Sequence, residues 1–153
     1  MLERARGALA ALTTALLVGD RLAAAYPTRR LIGLGDGLTP SGDDVLIGIE
    51  AALHALGSPA AGFLDEALAD VDARTTTVSA AYLRHAAAGE FAERLHHLLA
   101  VLVSEEAREA TLAGAIGEAV AWGATSGTDC LIGVLEGLDT AAGIGVNIAE
   151  AAA

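Results

Sequence analysis

The chain has 153 residues and a formal net charge of −11, and all nine of its basic residues are arginines. This acidity argues against a nucleic-acid partner, whose phosphates need a basic surface, and against an anionic membrane surface. No apolar run reaches the roughly 18 residues of a membrane span. Aromatic residues make up only 3% of the chain, so the core must consist of aliphatic side chains in close contact. We therefore predict an all-α fold, in which residues 1–153 form one helical domain.

Apolar residues recur with helical spacing along most of the chain. The first such stretch is amphipathic, with Leu9, Leu12 and Leu16 on one face. Arginines precede it as in a signal peptide, but we interpret it as a helix of a cytoplasmic protein. The predicted helices are Leu2 to Ala25, Asp43 to Leu56, Ala60 to Ala73, Thr77 to Ala88, Phe91 to Val103, Ala107 to Trp122 and Thr128 to Leu138.

Helix-breaking residues separate these segments, and Pro27 is predicted to end the first one. Residues 31–34 are expected to be an extended lead-in to a glycine-rich loop at 33–42. The tail from Gly143 to Asn147 fits either a strand-like segment or a frayed end. The single cysteine, Cys130, excludes an internal disulfide and fits a reducing compartment. It is predicted to be a small buried residue, with a reactive thiol as the alternative.

One segment of the chain occurs twice. GLTPSGDDVLIG at 37–48 returns as GATSGTDCLIG at 123–133, one residue shorter. In both copies a turn-prone stretch leads into an apolar helical segment, so each serine is predicted to be an N-cap and each Ser-x-x-Asp a capping box. Aligned on the Ser-Gly pair, Ser41, Gly42 and Asp44 correspond to Ser126, Gly127 and Asp129.

The repeated glycines need a reason of their own, because a cap does not require glycine at the first helical position. Gly42 and Gly127 suggest that something approaches the backbone closely there. A helix N-terminus with free N–H groups is an anion site, and two such ends related by a repeat suggest one shared pocket for a small anionic metabolite. The alternative is two capped helices with small residues for tight packing.

Three carboxylates are the candidate catalytic residues. Asp43 and Asp44 are adjacent on one predicted first turn, and Asp129 is the repeat partner of Asp44. If the two helix ends meet, these carboxylates and the nearby hydroxyls would suit a hard cation such as Mg²⁺, for which Asp43 and Asp44 are the candidate ligands. The alternative is that Asp44 and Asp129 only cap their helices.

Hydroxyl groups also open the central predicted helix, at Thr75-Thr76-Thr77 and Ser79. One of the threonines is a natural N-cap, and the others are available to a ligand. His85 on the same helix is either a general acid or base or a structural residue. Arginines that could clamp a negative charge are Arg29, Arg30 and Arg84.

These motifs together resemble a bacterial family of unknown function that includes the AllH-type subunit of oxamate carbamoyltransferase. The resemblance rests on Gly33 to Asp44, on Thr75 to Gly89 and on Gly123 to Asp129, and it covers about residues 31–138. It implies a protein that works with companion subunits to transfer a carbamoyl group between phosphate and oxamate. Asp36 stands where the family usually has a proline, and relatives are expected to have a further N-terminal portion.

The leading hypothesis is therefore a subunit of a carbamoyltransferase-type enzyme that acts on a small carboxylate such as oxamate. One competing hypothesis is a non-catalytic assembly subunit that packs against a companion protein or its own copy. Another is a Mg²⁺-dependent hydrolase of a phosphorylated or nucleotide-like substrate. The candidate ligand-binding residues are Gly35, Gly37, Thr39, Ser41, Gly42, Thr76, Ser79, Thr125, Ser126 and Gly127.

Overall fold

The computed structural model describes residues 2–104 and 109–146. In these ranges the chain forms eight helices and no strand, which confirms the predicted all-α fold. None of the helices in the described part is long and apolar enough to cross a membrane. The helices are α1 (Leu2–Leu17), α2 (Arg21–Leu31), α3 (Ser41–Ala55), the 3₁₀ helix η1 (Phe63–Ala73), α4 (Thr77–Ala87), α5 (Glu93–Val103), α6 (Glu109–Val120) and α7 (Ser126–Ile144).

The first predicted helix is divided in two, which the prediction missed. Gly19 adopts a left-handed φ of 71° after α1, and the Asp20 side chain then caps α2 by accepting from the Ala23 N–H at 2.9 Å. Glycine followed by an N-cap residue is a typical helix stop and start, so the signal was present. Pro27 does not end a helix as predicted but lies inside α2. Burial of Pro27 and Leu31 against the core favours continuing the helix despite the missing N–H.

The other boundaries differ less. The extended lead-in predicted at 31–34 is wrong at Leu31, which is the last residue of α2. The tail is neither strand-like nor frayed up to Ile144, because α7 continues to that residue. The start predicted for the sixth helix, at Ala107, lies outside the described residues, as do Asn147 and the alanines that follow it.

The repeated segments form the two helices that pack most extensively against each other, α3 and α7. They run parallel, because contacts move toward the C-terminus on both helices together: a Cβ on Gly48 would lie 2.1 Å from the Cys130 carbonyl oxygen, and one on Gly137 would lie 2.7 Å from Ala52 Cβ. The contact is symmetrical, since a Cβ on Gly133 would lie 2.0 Å from the Val45 carbonyl oxygen. The repeat therefore encodes a close crossing of two parallel helices.

The core lies around this helix pair. Aliphatic residues of α3, such as Leu46 and Leu53, are fully buried together with Phe63 of η1 and Leu83 of α4. Cys130 is buried as predicted, and burial raises the pKa of its thiol to about 12, with the charges of Asp44 and Asp129 adding to the effect. A thiol with so high a pKa is not a reactive thiolate at neutral pH.

Candidate functional site

The N-terminal ends of α3 and α7 meet. Thr39, in the loop before α3, and Ser126, the first residue of α7, have their hydroxyl oxygens 2.8 Å apart. The sequence alone separates these residues by 87 positions. Parallel packing of the two repeated helices brings them together, as expected for a shared site.

The capping interpretation is wrong at both helices. Ser41 and Ser126 are the first residues of α3 and α7, while the N-cap positions are occupied by Pro40 and Thr125. Neither N-cap residue makes a side-chain capping hydrogen bond. The Ser-x-x-Asp pattern therefore makes no capping box at either helix, and the Ser126 hydroxyl contacts Thr39 of the other copy.

The free N–H groups predicted at the repeated glycines are also wrong. The Gly42 N–H donates to the Leu34 carbonyl at 2.8 Å, and the Gly127 N–H donates to the Trp122 carbonyl at 2.9 Å. A Cβ on Gly42 would lie 2.1 Å from the Leu31 carbonyl oxygen, and one on Gly127 would lie 2.0 Å from that of Ala119. The preceding helix of this chain therefore accounts for the close approach, so packing explains both glycines. Any contact they make with a ligand stays a prediction.

Two further predicted ligand-binding glycines shape the loop between α2 and α3. Gly35 and Gly37 have left-handed φ values of 123° and 97°. A Cβ on Gly35 would lie 2.8 Å from the Ser41 backbone nitrogen, whereas Gly37 faces open space. Gly35 thus permits the loop to fold back onto the start of α3.

Asp43 is completely buried and serves as a hydrogen-bond acceptor for three groups of this chain. Its Oδ1 accepts from the Gly33 N–H at 2.8 Å, and its Oδ2 accepts from the hydroxyls of Ser79 at 2.6 Å and Thr75. It thereby ties the loop before α3 to the start of α4. Because three hydrogen bonds already use its oxygen lone pairs, the Asp43 carboxylate has little capacity left to bind a cation.

The hydroxyls of the central helix are likewise engaged. Thr76 is the N-cap of α4, as predicted, and accepts from the Ser79 N–H at 3.1 Å. Its hydroxyl donates to the Leu38 carbonyl, and the buried Ser79 hydroxyl donates to Asp43. Both residues therefore support the glycine-rich loop, and ligand contact by either stays a prediction.

Asp44 differs from Asp43 because one of its oxygens has no partner. The residue is 3% exposed, and its Oδ2 makes no hydrogen bond within the described part of the chain. Burial raises its pKa to about 6, hydrogen bonds from the Ser126 and Thr39 hydroxyls oppose this rise, and the charges of Asp129 and Asp43 add to it. Asp44 can therefore hold or release a proton near neutral pH.

Asp129 contributes a second such oxygen. It is half-buried, and its Oδ2 is shielded from solvent without a hydrogen-bond partner among the described residues. We call Thr39, Asp44, Ser126 and Asp129 the paired-helix site. In the described ranges no group of three or more His, Cys, Asp or Glu side chains is arranged to hold a metal ion. A Mg²⁺ ion at Asp43 and Asp44 stays a prediction.

The arginines predicted as charge clamps have other contacts. Arg84 pairs with Asp72, and Arg29 donates to the Glu66 carbonyl at 2.6 Å. Arg30 lies over the Tyr26 ring. The two charges that raise the pKa of Asp44 are those of Asp129 and Asp43. These arginines therefore do not supply positive charge to the paired-helix site.

Two features escaped the sequence analysis. Glu50 of α3 is fully buried, and burial raises its pKa to about 8; it accepts from the Gly62 N–H and lies 3.0 Å from His54 Nε2. The burial of Glu50 could not be predicted from helical spacing, because a single Glu in an apolar helix is usually a surface residue. The other is Glu90, whose carboxylate lies 2.6 Å from Nδ1 of the exposed His85. Glu90 and His85 line a cleft of about 250 Å³ that shares no residue with the paired-helix site.

The fold and the site define an all-helical protein in which a repeat brings two acidic helix starts together. A family model described as oxamate carbamoyltransferase subunit AllH matches residues 31–138. This segment contains both copies of the repeat and covers more than half of the chain, so the chain belongs to that family. No solved structure matches the chain significantly.

Proposed function

We propose that this chain is a subunit of an oxamate carbamoyltransferase-type enzyme and that the paired-helix site binds its small carboxylate substrate, oxamate. One observation carries the proposal: two carboxylate oxygens without partners, on Asp44 and Asp129, lie at the junction marked by the 2.8 Å contact between Thr39 and Ser126. All four residues fall within the segment that the family model matches. Buried polar atoms without partners are rare in proteins and call for an explanation, and a ligand supplies one.

The chemistry of carbamoyl transfer suits these groups. Transfer from carbamoyl phosphate to the oxamate nitrogen forms an N–C bond, breaks the C–O bond to phosphate and removes a proton from the nitrogen. Asp44, whose pKa is raised to about 6, is our candidate for accepting that proton. Hydrogen bonds from the Ser126 and Thr39 hydroxyls hold the Asp44 carboxylate in place, and Asp129 favours binding of the proton on Asp44 through its charge.

The test is turnover of the enzyme reconstituted with its companion subunits. Asp44→Asn removes a proton acceptor while keeping the shape of the side chain, so we expect turnover to fall by about two orders of magnitude or more. Asp129→Asn should have a smaller effect in the same direction. The matched control is Asp139→Asn, the same change at an exposed position ten residues further along α7. Equal, small effects of all three substitutions would refute the catalytic proposal and favour the assembly subunit.

The companion subunits need a surface on this chain, and α7 provides one. Ile132 and Leu135 are 43% and 52% exposed, whereas their repeat counterparts in α3, Ile47 and Glu50, are buried under other helices of the chain. We propose that a companion subunit covers this apolar face of α7. Leu135→Asp should then weaken assembly with the companion subunits, whereas Leu22→Asp, at a 76% exposed position on α2, should not. Equal effects in quantitative co-purification would contradict this assignment.

A further inference from the structure

Four backbone N–H groups at the starts of α3 and α7 are already used by the chain itself. The N–H groups of Gly42 and Asp44 donate to the carbonyls of Leu34 and Pro40, and those of Gly127 and Asp129 donate to Trp122 and Thr125. The hydroxyl oxygens of Thr39 and Ser126 lie 2.8 Å apart, and hydrogen bonds from these side chains lower the pKa of Asp44. An incoming anion would find none of these backbone donors free.

The groups that lack partners there are acceptors. Oδ2 of Asp44 and Oδ2 of Asp129 are both shielded from solvent and make no hydrogen bond within the described residues. Asp44 is more than nine-tenths buried, so its oxygen has little access to bulk water as an alternative donor. A buried acceptor without a donor is costly, and a bound group that donates would remove that cost.

The charges around Asp44 also disfavour an anionic group at the paired-helix site. The neighbouring charged groups that influence Asp44 are Asp129 and Asp43, both acidic. Arg74, two residues before the N-cap of α4, pairs with Asp70, and Arg84, in the last turn of α4, pairs with Asp72. A carboxylate or phosphate placed against Asp44 and Asp129 would therefore meet like charges.

We propose that the paired-helix site recognises the amide end of its substrate, with the N–H groups of a carboxamide or carbamoyl group donating to Asp44 and Asp129, and that it discriminates against an anionic group at the same place. This rests on the proposed function and adds the orientation: the carboxylate of oxamate points away from the pair. A carboxamide suits the site because its NH₂ group presents two donors and no charge. The orientation also places the nitrogen that loses a proton next to Asp44.

Oxamate and oxalate test this directly, because they differ only in an NH₂ group replaced by an oxygen anion. Binding of each to the complex reconstituted with companion subunits is measured by calorimetry at pH 7.5, with Mg²⁺ and with a chelator. We expect oxamate to bind at least tenfold more tightly than oxalate in both conditions. Asp44→Asn replaces an acceptor by an NH₂ donor, so it should weaken oxamate binding about tenfold and move the preference toward oxalate. Asp139→Asn should leave both affinities unchanged.

The remaining outcomes separate the two proposals. Oxalate binding as tightly as oxamate, or a preference unaltered by Asp44→Asn, would overturn the amide assignment while leaving the enzyme assignment in place. Oxalate binding that requires Mg²⁺ and is lost in Asp44→Asn would overturn it in favour of a cation held by the carboxylates. Binding of neither ligand, together with unchanged carbamoyl transfer by Asp44→Asn, would refute the proposed function itself.

Discussion

The two copies of the repeat share their backbone packing and differ in their polar contacts. In each copy a glycine at the second helical residue, Gly42 or Gly127, lies against a carbonyl of the preceding helix. A second equivalent pair, Gly48 and Gly133, forms the crossing of α3 and α7. These four positions have the same role in both copies, so the repeat is first of all a device for bringing two helices into backbone contact.

The polar differences show where the copies have specialised. Asp43 is buried and accepts hydrogen bonds from three groups of this chain, whereas its counterpart Thr128 is exposed. Glu50 is buried in α3, whereas Leu135 at the same position of α7 is exposed. Only one acidic position is kept in both copies: Asp44 and Asp129. The shared carboxylate therefore belongs to the junction of the two helix starts, while Asp43 and Glu50 each contact groups around α3 alone.

The largest effect should come from filling the crossing. Gly48→Ala places a Cβ about 2.1 Å from the Cys130 carbonyl oxygen, and Gly133→Ala does the same against Val45. Backbone atoms cannot rotate away, so each substitution should lower the free energy of unfolding by about 3 kcal/mol or more, measured by urea denaturation.

The control for the crossing lies in α6. A Cβ on Gly117 meets nothing within 4 Å, so Gly117→Ala should leave stability unchanged or raise it by about 0.5 to 1 kcal/mol through helix propensity. If Gly48→Ala were as harmless as Gly117→Ala, the close crossing would be refuted. A large effect at Gly48 and none at Gly133 would show that the packing symmetry is broken.

The helices and the repeat were predictable because both are written locally, in apolar spacing and in a long matching string. The reason for Gly42 and Gly127 was not, because the carbonyls they approach belong to Leu31 and Ala119 of other helices. The Ser-x-x-Asp pattern predicted caps because capping rules consider only residues that are close in sequence. The partner of Ser126 is Thr39, 87 positions away. Packing of α3 against α7 brings the Thr39 and Ser126 side chains into contact, which no local sequence pattern predicts.

Asp43 and Thr128 provide the second test of the comparison. Asp43→Asn keeps the shape but puts an NH₂ group against donors from Ser79, Thr75 or Gly33. We expect a loss of about 2 to 3 kcal/mol in the free energy of unfolding, since the lost bonds are charge-assisted and buried. Thr128→Ala, at the exposed counterpart, should change it by less than about 0.5 kcal/mol. A small effect at both positions would mean that Asp43 does not anchor the loop.

Asp44→Asn should raise the free energy of unfolding, whereas Asp43→Asn should lower it. The folded-state pKa of Asp44, about 6, lies above the ordinary value of 3.8, so between these values the folded protein keeps a proton that the unfolded chain has lost. Stability therefore falls as pH rises through that window and stays lower above pH 6. Asp44→Asn removes this cost, so it should be more stable than the parent above pH 6, by about 1 to 2 kcal/mol.

Urea titrations from pH 4 to 8 check this sign. Glu50, whose pKa is raised from 4.5 to about 8, should leave a second decline in stability that Asp44→Asn retains and Glu50→Gln removes. If Asp44→Asn proved less stable than the parent at pH 7, the unpartnered oxygen would not carry a net cost. The paired-helix site would then contribute to the stability of the fold, and Asp44 would not be a residue that is kept for function at a cost in stability.

The smallest effect concerns the contact that joins the two copies. Thr39→Val and Ser126→Ala each remove one hydroxyl from the 2.8 Å pair, and each should lower the free energy of unfolding by about 1 kcal/mol, because both residues are only half-buried. The double substitution should cost less than the sum, since the second change removes a group whose partner is already gone. A coupling free energy of about 0.5 to 1 kcal/mol in this cycle is the expected result. Strict additivity would mean that the helix starts do not support each other, and that the glycine crossing alone holds Asp44 beside Asp129.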